Sequence, residues 1–347
     1  MKKIAIIGCG KIARDFHLPI LKSMDNVKIS AIFDINQKTL SQFAKNVRDT
    51  SIFNDYSLLL ESDIDAVDIC TPGYTHYDLC MQAIKKGKHV LVEKPLCLSV
   101  ADAKDIERSA LQEGVKICVI HNYRFHEPII KAKLAYDQGK LGEIRKVFSV
   151  HHQRNVWNEL EWMWDEKKTG GILYELGIHS LDLQTVFCGE PKQIIGLNTH
   201  YSEAGDYVTS IEAIVKYENE RIGIIDITQD TSLHSSNFTE LRIYASGCDA
   251  IIKFFPSSIR FSSTNQLDPL EEFSSEFRRL SKFGLLLLSG RYKRYSLSPH
   301  KRVINGFFES IEKDEKPPVT IKNILPTMKL LEMLKKQINK SNRKNSY

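Results

Sequence analysis

The sequence predicts an α/β protein of two domains: an N-terminal doubly wound parallel sheet, then a C-terminal α+β domain on a large, mostly antiparallel open sheet. Three observations predict it. Short apolar runs alternate with segments of helical spacing through the first third of the chain, the pattern of a parallel sheet covered on both faces. The first run ends in Gly8-Cys9-Gly10-Lys11-Ile12-Ala13. Beyond Asn122, β-branched runs follow one another with few helical segments between them, which suits an antiparallel or mixed sheet.

The first domain is built from the runs Lys3–Ile7, Val27–Phe33, Ala66–Cys70, His89–Val92 and Ile117–Ile120. Leu58–Glu61, Tyr77–Lys86 and Ala101–Glu113 carry the helical spacing between them. Pro19 lacks an amide hydrogen, so the first helix is expected to break near His17–Leu18. In the second domain Pro128–Gly139 and Gly171–Phe187 read as helices. Ile144–His151, Gln193–His200, Ile211–Tyr217, Ile222–Thr228, Leu241–Ala245 and Ala250–Phe254 read as strands. The domains are set at residues 1–121 and 122–335. A polar, basic tail follows over 336–347, its end expected to be disordered. A sheet with helices on one face leaves the other free, which suits a homodimer or homotetramer.

Composition narrows the function. Of 347 residues, 42% are apolar and 26% charged, the balance of a folded globular protein. The net charge of +5 is spread along the chain, so nucleic acid is not an expected partner. No apolar run nears the ~18 residues of a membrane span, and no secretory leader is legible. Seven cysteines without a Cys-x-x-Cys pair fit neither a disulfide framework nor a zinc site, and the histidines show no metal-ligand spacing. A cytoplasmic, metal-free protein is expected. Over 276–296 an apolar cluster lies between basic groups. Membrane contact through 277–294 is the weaker reading, beside an insertion packed on the sheet or a subunit contact.

The Gly-x-Gly-x-x-Ala turn follows an apolar strand and opens a helix. Gly8 permits the tight turn, Gly10 lets the backbone approach a pyrophosphate, and Ala13 allows close helix–strand packing. Lys11 and Ile12 lie at the helix start. Asp34 closes the next run at roughly the twenty-residue spacing expected of a ribose ligand. Its carboxylate accepts from ribose hydroxyls and repels a 2′-phosphate. This is a Rossmann fingerprint, with NAD preferred to NADP.

Two further segments can carry chemistry. Thr71-Pro72 with His76, and Glu93-Lys94-Pro95, sit at strand carboxyl ends, where ligands bind in open α/β sheets. Proline holds Lys94 extended, pointing it across the cofactor cleft; an ordinary surface lysine in a turn is the alternative. In Gly171–Phe187, Glu175 and His179 are spaced i, i+4 on one face, with Asp182 near it; a plain surface pair is the alternative. Arg154 and Trp164 lie in a segment holding all three tryptophans. Indole faces suit sugar rings or bases and Arg154 suits a carboxylate or phosphate, unless the segment is simply a hydrophobic cover.

Together these motifs resemble the Gfo/Idh/MocA family of glucose–fructose oxidoreductase and inositol dehydrogenase. The resemblance runs through Gly8–Ala13, Thr71-Pro72, Glu93-Lys94-Pro95, Asn122-Tyr123-Arg124-Phe125, Leu141-Gly142-Glu143-Ile144 and the Gly170-Gly171 segment with His179. It implies an NAD(P)-dependent dehydrogenase acting on a hydroxyl of a sugar, cyclitol or nucleotide sugar. Lys94 and His179 become the catalytic pair, and Asn122, Tyr123 and Arg124 lie near nicotinamide and substrate. The family usually has Asp where this chain has Glu175, so that carboxylate either binds a substrate hydroxyl or orients His179. A non-catalytic dinucleotide-binding sensor on the same fold is the competing class. A reductase of carbon–carbon double bonds and a NAD-dependent glycosidase are the competing enzymes.

Overall fold

The computed structural model describes residues 1–153, 166–202, 207–229, 238–254, 257–262, 274, 277, 280–281, 284–289 and 292–344. The chain divides into two compact units. The first comprises Met1–Asn122 and Leu297–Leu325.

The first unit holds an all-parallel sheet of six strands: β1 Lys2–Ile7, β2 Val27–Phe33, β3 Ser51–Phe53, β4 Ala66–Ile69, β5 His89–Glu93 and β6 Ile117–Ile120. Their order is β3-β2-β1-β4-β5-β6. β4 and β6 are buried along their whole length, as strands covered on both faces must be. β1 pairs with β2 on one side and β4 on the other, so the strand order reverses there and a crevice opens at the carboxyl ends. Helix Val100–Glu113 starts under a Ser99 cap that accepts the Asp102 amide, and ends at left-handed Gly114.

At His17–Leu18, where a break was expected, the first helix changes type without leaving helical geometry. Ala13–His17 form a π-helical turn, and Pro19 sits in the first turn of the α-helical Leu18–Leu21 that follows. The wider turn takes up the missing amide hydrogen. Leu297–Leu325, which the sequence groups with the second domain, belongs to the first unit. The Val119 amide donates to the Val319 carbonyl at 3.2 Å, and the Phe16 and His300 rings lie 4.6 Å apart. Both contacts are long-range, and no local pattern announces them.

The second unit comprises Tyr123–Ser296 and Pro326–Tyr347. Its seven-stranded sheet contains β7 Ile144–His152, β8 Pro191–Tyr201, β9 Val208–Tyr217, β10 Ile222–Thr228, β11 Phe238–Ala245, β12 Asp249–Phe254 and β13 Ser257–Ser262. The order is β13-β12-β11-β7-β10-β9-β8, and only β7 and β10 run parallel. Helix Ile178–Cys188 lies over that parallel pair, and helix Glu127–Asp137 packs on β12 and β13. Helix Ile321–Lys344 runs through most of the stretch expected as a polar tail. Leu330, Leu331, Leu334 and Ile338 form a buried stripe at helical spacing among its lysines. Residues 345–347, the end expected to be disordered, lie outside the described set. Over 276–296 the described residues Phe277, Leu280, Leu285, Leu287 and Leu288 are exposed. Among the described residues, no helix is long and apolar enough to cross a membrane.

Gln184 locks the parallel pair from beneath. It is fully buried and donates to the Ile224 carbonyl at 3.0 Å and to Ser149 Oγ at 3.1 Å, while Tyr217 donates to its carbonyl at 2.8 Å. Gly223 makes the room: a Cβ there would lie 2.1 Å from Gln184 Oε1 and 2.8 Å from the Tyr217 ring. Gly223→Ala is therefore expected to destabilise the protein by about 1–3 kcal/mol through overpacking. Urea unfolding of the variant beside wild type measures this.

Candidate active site

At the end of β1 the chain turns through Gly8 at φ +89. A Cβ there would meet Thr71 Cγ2 at 2.8 Å and the Cys70 carbonyl carbon at 2.9 Å, so both conformation and close approach demand glycine. A Cβ on Gly10 would meet no described atom within 4 Å. The chain's own packing thus explains Gly8 and leaves Gly10 facing open space at a helix start. Asp34 follows β2, its two oxygens accepting the Cys9 amide at 2.8 Å and the Asn36 amide at 2.7 Å. Burial, then the charge of Asp34, pushes the Cys9 thiol up to about 12, so it serves as apolar filling. Lys11 pairs with Asp15 at the surface, and Ala13 is buried.

Thr71 and Pro72 follow β4, half-buried. The Thr71 and Thr75 hydroxyls share a hydrogen bond of 2.7 Å. His76 is fully buried; Nδ1 lies 2.7 Å from the Pro95 carbonyl oxygen and Nε2 2.7 Å from that of Thr71. It staples the loops after β4 and β5 together. Glu93 ends β5 in the interior, and half-buried Lys94 follows it.

Sequence reasoning passed over His17 and Asp68. His17 has no exposure; Nδ1 lies 2.8 Å from Asp68 Oδ2 and Nε2 2.9 Å from Glu93 Oε1. Burial works against a charge on the ring, but Asp68 and Cys70 outweigh it and hold the imidazole well above its ordinary value. Glu93 is likewise opposed by burial, yet the hydrogen bond and charge of His17 bring it down to about 2. His17, Asp68 and Cys70 also bring three metal-ligand types within 4.8 Å of one another. The 2.8 Å contact is a hydrogen bond, shorter than the ~3.3 Å edge that tetrahedral zinc distances imply. A histidine on the apolar side of the first helix was the signal available in the sequence.

In the second unit, Glu175 lies in a π-helical turn, Leu173–Gly177, and His179 in the first turn of Ile178–Cys188; both are half-buried. Their sequence spacing assumed an α-helix, and the wider turn replaces one. The Tyr123 ring stacks on His179, with centroids 4.2 Å apart and planes at 20°, and His126, His151 and Phe254 surround it. Burial, partly offset by a hydrogen bond with Thr239, pushes the Tyr123 hydroxyl up to about 12, so it stays a neutral donor. Arg124 forks onto buried Asp182, Nε to Oδ2 at 2.7 Å and Nη2 to Oδ1 at 2.6 Å, and Thr327 adds a third bond at 3.0 Å. Asn122, buried, opens the same short turn, Asn122–Phe125. Arg154 and Trp164 lie outside the described residues.

The strand order, the glycine turn and the acidic end of β2 define a dinucleotide-binding α/β protein with an added antiparallel domain. The family model described as "Oxidoreductase family, NAD-binding Rossmann fold" of Gfo/Idh/MocA matches residues 2–121, and that of the Gfo/Idh/MocA C-terminal domain matches residues 129–250. The chain belongs to the Gfo/Idh/MocA family. It is 32% identical over 188 residues to glucose-6-phosphate 3-dehydrogenase of Bacillus subtilis, a match covering 53% of each chain. It is 30% identical over 247 residues to dehydrogenase FPY6 of Fusarium mangiferae, covering 66% of this chain and 71% of that one. The match thus spans about half the length of the first of these relatives. The fold is similar to that of the WlbA dehydrogenase of Bordetella pertussis, solved with NADH and UDP-GlcNAcA: TM-score 0.82, 18% identity, 98% of this chain and 96% of that one.

The buried cluster sets a pH dependence. The lowered Glu93 carboxyl contributes stability that is full above its ordinary 4.5 and lost as pH falls toward about 2. The raised His17 imidazole contributes stability that is full below 6.5 and lost only as pH rises through its higher folded value. Glu93→Gln is expected to flatten the acid side of the stability–pH curve and to cost about 3–5 kcal/mol near neutrality, as a buried charge loses its partner. Urea unfolding at pH 3, 5 and 7 reads both effects.

Proposed function

We propose that the protein is a NAD-dependent dehydrogenase that oxidises a hydroxyl of a sugar, cyclitol or nucleotide sugar, or reduces the corresponding ketone. The observation that carries the reading is Gly10. Its missing side chain serves no contact among the described residues, and it stands where a pyrophosphate would lie against a helix start. The relatives support the substrate class, one named for glucose 6-phosphate and one solved with a nucleotide sugar. Asp34 supports NAD over NADP. Two backbone amides hold its carboxylate, which would accept from the adenosine ribose and repel a 2′-phosphate.

When bound, the nicotinamide supplies hydride chemistry. The chain's own groups do the rest. His179 takes the proton of the reacting hydroxyl as general base, its ring plane fixed by stacking on Tyr123. Lys94 hydrogen-bonds the same oxygen and stabilises negative charge developing there. Glu175 orients His179 or holds a neighbouring hydroxyl. Asn122 and Tyr123 line the substrate. Arg124, with its guanidinium engaged by Asp182, gives shape to this turn as well as charge.

The test separates cofactor from chemistry. NADH and NADPH are titrated by their own fluorescence, with NADH expected to bind more tightly. Gly10→Ala is expected to weaken NADH binding by about tenfold or more while melting within about 1 °C of wild type. Gly8→Ala is expected to lose about 1–3 kcal/mol of stability. Equal binding of NADH by Gly10→Ala and wild type would remove the proposed cradle.

With a substrate found by screening sugars and nucleotide sugars, Lys94→Ala and His179→Ala are expected to lower kcat by about 10²–10⁴ and to leave NADH binding intact. Turnover retained in either variant would overturn that residue's role.

A further inference from the structure

One feature of the first unit takes no direct part in the proposed reaction: the fully buried cluster behind the strand ends. His17 is the last residue of the π-helical turn, Asp68 lies within β4 and Glu93 ends β5. His17 bridges the two carboxylates, one at each ring nitrogen. A ring that donates from both nitrogens is an imidazolium. Glu93 has a second oxygen, and it accepts the backbone N–H of Lys94 at 3.2 Å. A chain of hydrogen bonds thus runs from Asp68 through His17 and Glu93 to the backbone of Lys94.

As a device for stability this arrangement is poor. Removing charges from water is costly, and apolar side chains of similar volume often stabilise as well or better. Three directional bonds give something packing does not, a single geometry for the Glu93 carboxylate. The groups facing the ring are Asp68 and Cys70 from β4 and its end, Glu93 from β5, and His300 from helix Tyr292–Glu312, whose ring centre lies 6.2 Å away. Two carboxylates against one cation keep the ring charged, in line with its raised proton affinity.

We infer that His17 is a positioning residue: by gripping Asp68 and Glu93 it fixes the carboxylate that holds the Lys94 amide, and so fixes the point from which the Lys94 side chain reaches. Its catalytic consequence rests on the reading of Lys94 given above; its structural content does not.

The experiment uses the full chain and three variants, His17→Gln, Asp68→Asn and the double variant. Ring nitrogen shifts of 15N-histidine protein, assigned by His17→Gln, report the charge on His17. Hydrogen exchange of the Lys94 amide reports the grip. Kinetics with NAD and the substrate found above report the consequence.

In wild type the ring is expected to stay doubly protonated at pH 8. In His17→Gln the Lys94 amide is expected to exchange about tenfold faster or more. There kcat is expected to fall about tenfold or more, with KM and NADH binding changed less than about twofold. The double variant removes one cation and one anion together. It is expected to regain melting temperature relative to His17→Gln without regaining amide protection or kcat, and it carries the test if the single variant does not fold.

A ring that titrates near its ordinary 6.5 would overturn the inference. So would wild-type amide exchange and kcat in either His17 variant, or recovery of stability and kcat together in the double variant, which marks a merely structural role. If Lys94→Ala keeps its turnover, the catalytic reading of Lys94 fails alone, and the ring and amide measurements still decide the grip.

Discussion

The close approach of two strand ends is the constraint on which the first unit depends. At Gly8 the backbone passes so near Thr71 and the carbonyl of Cys70 that no side chain fits between them. That contact lets β1 turn away into its helix while remaining the central strand, paired on both sides. The crevice, the direction of the helix start and the approach of Asp34 to the Cys9 amide all follow from it. A residue larger than glycine would push the glycine turn off β4 and open the cleft at its root.

Several of the polar side chains inside both units occur as connected sets. Asp68, His17 and Glu93 form one, and Arg124, Asp182 and Thr327 another. Gln184, Tyr217 and Ser149 form a third beneath the parallel pair of strands. Each set leaves its members partnered, which is the condition for carrying polar groups into a low-dielectric interior. Each also sits next to a residue with a proposed task or a topological one: Lys94, Tyr123 with His179, and the β7–β10 pair. The apolar core makes the fold compact, and these sets fix where particular backbone segments lie within it.

Much of this architecture is written in local pattern. β2, β6 and β10 follow the apolar runs residue for residue, because a strand buried on both faces, or alternating on one, leaves a plain signature. β3 and β13 are absent from that reading. β3 has only three residues, and β13, Ser-Ser-Ile-Arg-Phe-Ser at the sheet edge, has neither an apolar run nor an alternation. The glycine turn was legible because type and spacing coincide, and the same coincidence is what singles out Asp34, Lys94 and His179 for their proposed roles. His17 and Asp68 were not, since their meaning lies in contacts across 51 and 76 positions. The bond between Arg124 and Asp182, 58 positions apart, was hidden for the same reason. The long helix Ile321–Lys344 was obscured by its own lysines, which cover an apolar stripe of one residue in three or four.

The late return of the chain to its first unit bears on how the protein is made. A ribosome completes the glycine turn and all six parallel strands while most of the chain is still unsynthesised. The amide of Val119 waits for a carbonyl at Val319, and Phe16 waits for the ring of His300. Val303, Ile304, Phe307 and Phe308, all fully buried in the finished protein, arrive equally late. The first unit therefore closes only once the 174 residues between its two segments have been made, and the longer that takes, the longer its unfinished surface is open to aggregation.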